Sequence, residues 1–438
     1  MISKIKKRIG LDFIILFIFL THYLFTIESW HEITFIPMQG PPRNYIFSFI
    51  IFILLAVYFF ISWADFKKEK KFFYKSILLF SIILFFIFSM LAYQIVLREK
   101  TNNPKYIHDG AVQTEEAVKF LSLGKNHYAV NYQNTSFGVF GDFYSGEERA
   151  NPAWYYHVYL PFYSLFSVPF YKISSALFSF YDQRIVYGLL FLLSLFIIYK
   201  LPENRNMKLI GLIIFAFNPL FFPYLIQGYN DIFVFFWLLA SLYLLKLRRF
   251  YWSAALLALA CASKQSAWLI LPFYFSYLYF LENKVKIFTQ KIGLVFKKFI
   301  PFIIISLLIF IPFLIWSPND FIEDIFLYPA GAATLNFPMI GYGVSSLVYK
   351  MGLVESTFDY FPFGLIQALI GLPLIYFLIK KQKKNNNLSN LIFSYGILLL
   401  VFWFFSRFFN NNYISYLSMI FLVGYLIEEK KPLGGKNR

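Results

Sequence analysis

Apolar runs long enough to cross a bilayer recur along the whole 438-residue chain and restrict its fold more than any motif does. Residues 45–64, "YIFSFIIFILLAVYFFISWA", contain no charge at all. A spanning helix needs roughly 18–20 such residues. In lipid each backbone N–H and C=O must be satisfied within the segment, which selects helices. Charged residues make up 14% of the chain and hydrophobic ones 59%, with a mean hydropathy of +0.60. Soluble domains carry about 25% charge. The expected fold class is therefore an all-α polytopic membrane protein, a single integral membrane domain over residues 1–438. Its aromatic share, 23%, suits membrane interfaces, sugar-stacking walls and lipid grooves alike. The single cysteine, Cys261, excludes an intrachain disulfide.

A net charge of +17 first suggests nucleic acid, but its distribution argues otherwise. Seven basic clusters, Lys4–Arg8, Lys67–Lys75, Lys200–Lys208, Lys246–Arg249, Lys284–Lys298, Lys380–Lys384 and Lys430–Arg438, hold 28 of the 40 Lys and Arg. They fall between apolar runs, the positive-inside pattern, so no nucleic-acid partner is expected. Placing them all in the cytosol threads about twelve spans: 11–28, 45–64, 76–97, 183–199, 208–226, 231–247, 251–263, 266–281, 299–316, 362–380, 389–406 and 412–427. Both termini are then cytoplasmic. "MISKIKKRIG" imitates a signal peptide, but no small-residue cleavage site follows it, so it is read as leading into the first helix. Residues 156–180 would invert every later cluster if they crossed. Pro161 and Pro169 interrupt them, and they are read as a juxtamembrane or re-entrant helix on the outer side. The competing threading lets them span and has 251–281 cross once.

Two sizeable outer segments result, 98–182 and 317–361, and any chemistry is expected there. In "KYIHDGAVQTEEAVKFLSLGKNHY" (105–128), a helix starting after Asp109 puts Asp109, Gln113 and Glu116 on one face and Ala111, Thr114, Ala117, Val118 and Leu121 on the other. That pattern predicts an amphipathic helix lying on the membrane with its carboxylates turned from lipid. Asp109 is either a helix cap or a general base, with Glu115 or Glu116 raising its pKa by like-charge repulsion. Asp231 in "QGYNDIF" is either an N-cap or a group that orients a sugar or acceptor at an outer helix mouth. Lys264 in "CASKQSAW" either snorkels or pairs with a phosphate. Arg407 in "FFSRFFNNNYISYL" offers a planar donor fork for phosphate or is satisfied by loop carbonyls. No P-loop, GxSxG or HExxH is present. His108, His127 and His157 lie on the first outer segment without the spacing of a compact metal site, and His22 and His31 are read as interfacial.

The order of these stretches resembles a known family. An outer segment carrying "HDGAVQTEEAVKFLSLGKNHY" is followed by "NPAWYYHVYLPFYSLFSVPFY", "NPLFFPYLIQGYNDIF" and "ALLALACASKQSAWLILPF". This is similar to the GT-C superfamily of polytopic glycosyltransferases, nearest its bacterial and archaeal mannosyltransferase-like members, over roughly residues 76–285 with an echo at 404–417. The resemblance implies transfer of a hexose, mannose as the family expectation, from a polyprenyl-phosphate carrier to an acceptor hydroxyl on the non-cytoplasmic side of a prokaryotic plasma membrane. It implies Asp109 and Asp231 as the acidic residues of the first two outer loops, and Lys264 and Arg407 as binders of the donor phosphate. Two extra spans precede the acidic loop, and Asp109 is followed by Gly110 where some members have a paired Asp-Glu. The complete set of candidates is Asp109, Glu116 and Asp231 for catalysis, Lys264 and Arg407 for phosphate, and Gln113, Asn230, Asn411 and Tyr413 for substrate. No cofactor or metal is required, with a carboxylate-bound divalent cation as the one option left open. The partners are the lipid-linked donor, membrane lipid, and a protein, lipid or glycan acceptor. Two rivals compete: a lipid-linked glycan ligase or polymerase, which would want Arg and His clusters in its loop, and a transporter or flippase, which would keep charges at the bilayer midplane.

Overall fold

The computed structural model describes residues 10–26, 45–141, 150–282 and 285–429. Two basic clusters, Lys4–Arg8 and Lys430–Arg438, and His31 lie outside them. The described chain is almost wholly helical: α1 (Leu11–Thr26), α2 (Tyr45–Trp63), α3 (Lys68–Thr101), α4 (Asp109–Ser122), α5 (Pro161–Phe178), α6 (Arg184–Lys200), α7 (Arg205–Ala216), α8 (Phe222–Gln227), α9 (Asp231–Lys246), α10 (Phe250–Cys261), α11 (Leu271–Leu281), α12 (Phe288–Trp316), α13 (318–330), α14 (Val344–Lys350), α15 (Phe363–Lys384), α16 (Leu388–Phe404) and α17 (Asn411–Leu426). Two-residue strands β1 (Ile340–Gly341) and β2 (Phe408–Phe409) pair in parallel. Each of the twelve apolar segments falls on a helix. Segment 208–226 breaks between α7 and α8, and 266–281 opens with the 3₁₀ turn Gln265–Ile270. By length and composition, α2, α3, α12 and α15 are able to cross a membrane.

One apolar core joins α1–α3, α6–α11, α16 and α17, with α5, α12 and α15 each adding one buried residue, Tyr163, Val295 and Leu378. At its edge, α12 and α15 turn most of their apolar surface away from the protein, with Leu308, Ile315, Leu369 and Leu372 all well exposed. Such contiguous apolar faces fit contact with lipid tails rather than water. The three N-terminal helices are pinned by a buried cluster: Lys75 pairs with Asp12, and the Tyr58 hydroxyl donates to Asp12 at 2.6 Å.

The first outer segment differs from the amphipathic helix expected on the membrane surface. Helix α4 is buried all round from Gly110 to Val118. It packs against α5, and residues 128–141 and 150–154 fold over it to close a small core of Ile107, Ala111, Val112, Tyr132, Phe137 and Trp154. Its polar side chains are consequently spent on structure. Gln113 donates to the carbonyls of Ala153 and Tyr156, both at 2.7 Å. Glu115 takes both arms of Arg98, at 2.6 and 2.8 Å, and Arg98 also holds Asp182 at 2.9 Å. Burial alone would raise the Asp182 carboxyl, but Arg184 and Arg98 hold it well below the ordinary carboxylate range. Glu116 pairs with Lys119 at 2.6 Å. Both glutamates therefore have cation partners of their own.

Candidate functional site

Two loops that carry acidic residues are tied by their backbones. The His108 N–H donates to the Gln227 carbonyl at 2.8 Å. Gly228, which ends α8 with φ +86°, lets Ile107 approach so closely that a Cβ there would lie 2.6 Å from it. Only glycine adopts that backbone without strain. The contact brings the start of α4 beside the start of α9, and hence Asp109 near Asp231.

Asp231 is the first residue of α9 and is buried. Both its oxygens are engaged: Oδ1 accepts from the Lys264 ammonium at 2.7 Å, and Oδ2 from the Asn412 amide at 2.9 Å. Asn230 accepts a second Lys264 hydrogen bond at 3.2 Å. The Lys264 Nζ also stands 5.4 Å from the centre of the Tyr413 ring. An ammonium has three N–H groups, and one remains for an incoming anion. With Lys264 on one oxygen and Asn412 on the other, Asp231 is fully occupied by protein partners. Asp231 is therefore suited to hold Lys264, and Lys264 to meet negative charge.

Asp109 is the opposite case. Its side chain is 36% exposed, the greatest exposure in the cluster's acids, and Oδ1 accepts the Gly110 N–H at 2.6 Å. His108 Nε2 lies 3.1 Å from the same oxygen, while His108 Nδ1 accepts from Gly110 at 3.2 Å. The His108 ring rests on Tyr229 with centroids 3.7 Å apart. Burial lowers the His108 pKa, with Asp109 and Asp231 opposing and Lys264 assisting, so three of the predicted residues act on one imidazole. Asp109 thus presents a partly exposed carboxylate with one oxygen that no described group hydrogen-bonds; His108, Tyr159 and Tyr229 stand within electrostatic reach of it, as Asn230 and Tyr413 stand around Lys264. Asn411 faces outward beside Tyr224, on the rim of a mainly apolar cavity of about 200 Å³ lined also by Pro219, Leu220, Pro223 and Ile414.

Arg407 is placed differently. Its Nη1 and Nη2 donate to the carbonyls of Asp359 and Thr357 at 2.7 and 3.0 Å, and Nε donates to the Phe337 carbonyl. Gly331, at φ +77°, makes room: a Cβ there would sit 2.3 Å from Nη1. The guanidinium is an internal brace of the second outer segment, the carbonyl-satisfied alternative foreseen for it. Gln113 and Glu116, engaged as described above, likewise have their polar atoms turned to protein partners. The sequence reading missed His108, Tyr159, Tyr229 and Asn412 as members of this cluster. His108 and Tyr229 were discoverable as neighbours of Asp109 and Asn230; Asn412 was not, because only the turn of α17 separates it from the outward-facing Asn411.

A second polar cluster locks the two outer segments together. Asp324, in the π-helical turn Glu323–Leu327 of α13, accepts the His157 backbone N–H at 2.7 Å, and Tyr156 donates to Glu323 at 3.0 Å. The His127 and His157 rings meet edge to face at 4.9 Å, fully buried. Among the described residues, no three His, Cys, Asp or Glu side chains are arranged to hold a metal ion. Burial, aided by Asp320 and Glu323 and opposed by the His157 N–H, pushes the Asp324 carboxyl up to about 9. Burial lowers both histidines, His127 to about 3. Between the ordinary carboxylate value near 4 and about 9, the folded chain keeps a proton on Asp324 that the unfolded chain releases. This group therefore costs stability as pH rises, by up to ~1.4 kcal/mol per unit. The histidines act in reverse, losing stability as pH falls below about 6.5. Stability should peak near their crossover, and Asp324→Asn, which keeps an acceptor for His157, should flatten the alkaline side. Thermal unfolding in detergent at pH 6.5 and 9 tests this; an equal drop for wild type and variant would refute it.

No protein-family model, curated protein or solved structure matches the chain.

Proposed function

We propose that the chain is a membrane glycosyltransferase of GT-C type, moving a hexose from a polyprenyl-phosphate carrier to an acceptor hydroxyl at the non-cytoplasmic rim of a bundle of about twelve spans. The observation that carries this reading is that a partly exposed carboxylate, Asp109, and an ion-paired lysine, Lys264, both act on the His108 ring and so lie close together although 155 residues separate them along the chain. Glycosyl transfer with inversion asks for that pair: a base for the acceptor proton and a cation facing the phosphate as its negative charge grows. The cavity by Asn411 and Tyr224 supplies apolar wall for a lipid chain close to those charges. A carrier would instead want charged groups at the midplane of discontinuous helices. The phosphate role rests on Lys264, since Arg407 already bonds to three carbonyls.

Release of polyprenyl phosphate from polyprenyl-phosphate mannose by membranes containing the full chain is the direct test. Lys264→Met should weaken donor affinity by roughly 10- to 100-fold, the loss of a charge-assisted contact. Membranes with no donor turnover above that of cells lacking the chain would remove the proposal.

A further inference from the structure

Tyr159 presents a hydroxyl beside the first turn of α4. It precedes α5, and its ring is held on two sides, by His157 at 5.5 Å and Tyr163 at 5.3 Å. Its carbonyl accepts from the Tyr128 hydroxyl at 2.7 Å, which fixes the backbone as well. The position of the phenol oxygen is marked by Gly110: a Cβ there would lie 2.1 Å from it and 3.1 Å from the ring carbon that bears it. The hydroxyl therefore sits over the first turn of α4, next to Asp109. Burial and then the charges of Asp109 and Asp231 keep it protonated. The one side-chain hydrogen bond described at Tyr159 uses its backbone carbonyl, and the half-buried hydroxyl has no protein partner among the described residues. A donor held on both faces of its ring thus stands over the first turn of α4, close enough to Asp109 to feel its charge and not hydrogen-bonded to it.

We infer that Tyr159 is an acceptor-positioning residue: its O–H donates to the acceptor's oxygen while Asp109 receives that oxygen's proton, which makes the acceptor a hydroxyl compound and not a carboxamide. This rests on the glycosyl-transfer reading above. A hydroxyl oxygen keeps lone pairs for the phenol proton while giving up its own, whereas an amide nitrogen is a donor only. In the transfer the acceptor O–H bond breaks, with its proton going to Asp109. The oxygen bonds to the anomeric carbon, and the bond from that carbon to phosphate breaks with its electron pair leaving on the phosphate.

Tyr159→Phe removes only the oxygen, and Gly110→Ala displaces it, so the two variants probe one atom from opposite sides. With purified full-length protein, polyprenyl-phosphate mannose as donor and n-octyl α-mannoside as acceptor, each should raise the acceptor KM by about 3- to 10-fold, the worth of one neutral hydrogen bond, and leave the donor KM unchanged. Where water is the acceptor, the same substitution should slow donor hydrolysis by a comparable factor. The inference is overturned if Tyr159→Phe transfers like wild type, if only the donor KM moves, or if an Asn-containing peptide is glycosylated in place of the mannoside. An active wild type silenced by Asp109→Asn but indifferent to Tyr159→Phe sinks this inference alone. A wild type that turns over no donor sinks it together with the proposed function.

Discussion

Asp109→Asn should lower sugar transfer by about 10²- to 10⁴-fold, the usual contribution of a positioned general base, while leaving donor affinity near wild type. The substitution is nearly isosteric, and the carboxamide oxygen can still accept the Gly110 N–H that Asp109 Oδ1 accepts at 2.6 Å. The side chain is partly exposed, so folding should be little affected. Asp231→Asn should behave differently. It removes the charge that neutralises Lys264 at 2.7 Å, and should change donor binding as well as rate. Steady-state kinetics that vary donor and acceptor separately distinguish the two. Equal turnover by Asp109→Asn and wild type would take Asp109 out of the mechanism.

The largest stability effect should come from Arg98. This residue joins the end of α3 to Glu115 in the middle of α4 and to Asp182 ahead of α6, with both acids almost fully buried. Arg98→Met strands Glu115 without a cation, and breaking a buried pair in this way costs about 3–5 kcal/mol. Asp182 keeps Arg184 at 2.7 Å and should suffer less. Adding Glu115→Gln to Arg98→Met should recover part of the loss, because the stranded charge is gone. Denaturant-induced unfolding in mixed micelles measures both. A single variant as stable as wild type would show that the network carries no net stability.

Much of the helical frame was readable in the sequence, because apolar runs bounded by basic clusters leave a membrane chain few choices. The start of α4 at Asp109 and of α9 at Asp231 was legible for the same local reasons. Two things were not. An amphipathic pattern does not say what covers the polar face: for α4 it is covered by Arg98, Asp182 and the loop at 151–156, all distant in sequence. Nor does an isolated arginine say whether its fork meets a ligand or a loop. Arg407 meets the carbonyls of residues 337, 357 and 359, and a single glycine, Gly331, decides whether it fits. The pairing of Lys264 with Asp231 was in neither reading of that lysine, because it joins helices whose residues lie 33 apart in the chain.

Helix α12 runs for 29 residues, so it is about 44 Å long, well beyond a hydrocarbon layer of roughly 30 Å. It has to lean or protrude, and its lean follows the thickness of the host bilayer. Its outer end continues, after Ser317, into the helix bearing Asp324, and Phe313 packs with Tyr128 of the first outer segment. Lipid thickness thereby gains a mechanical lever on the Asp324–His157 contact: thinner membranes should tip it one way and thicker ones the other, without touching a single reacting group.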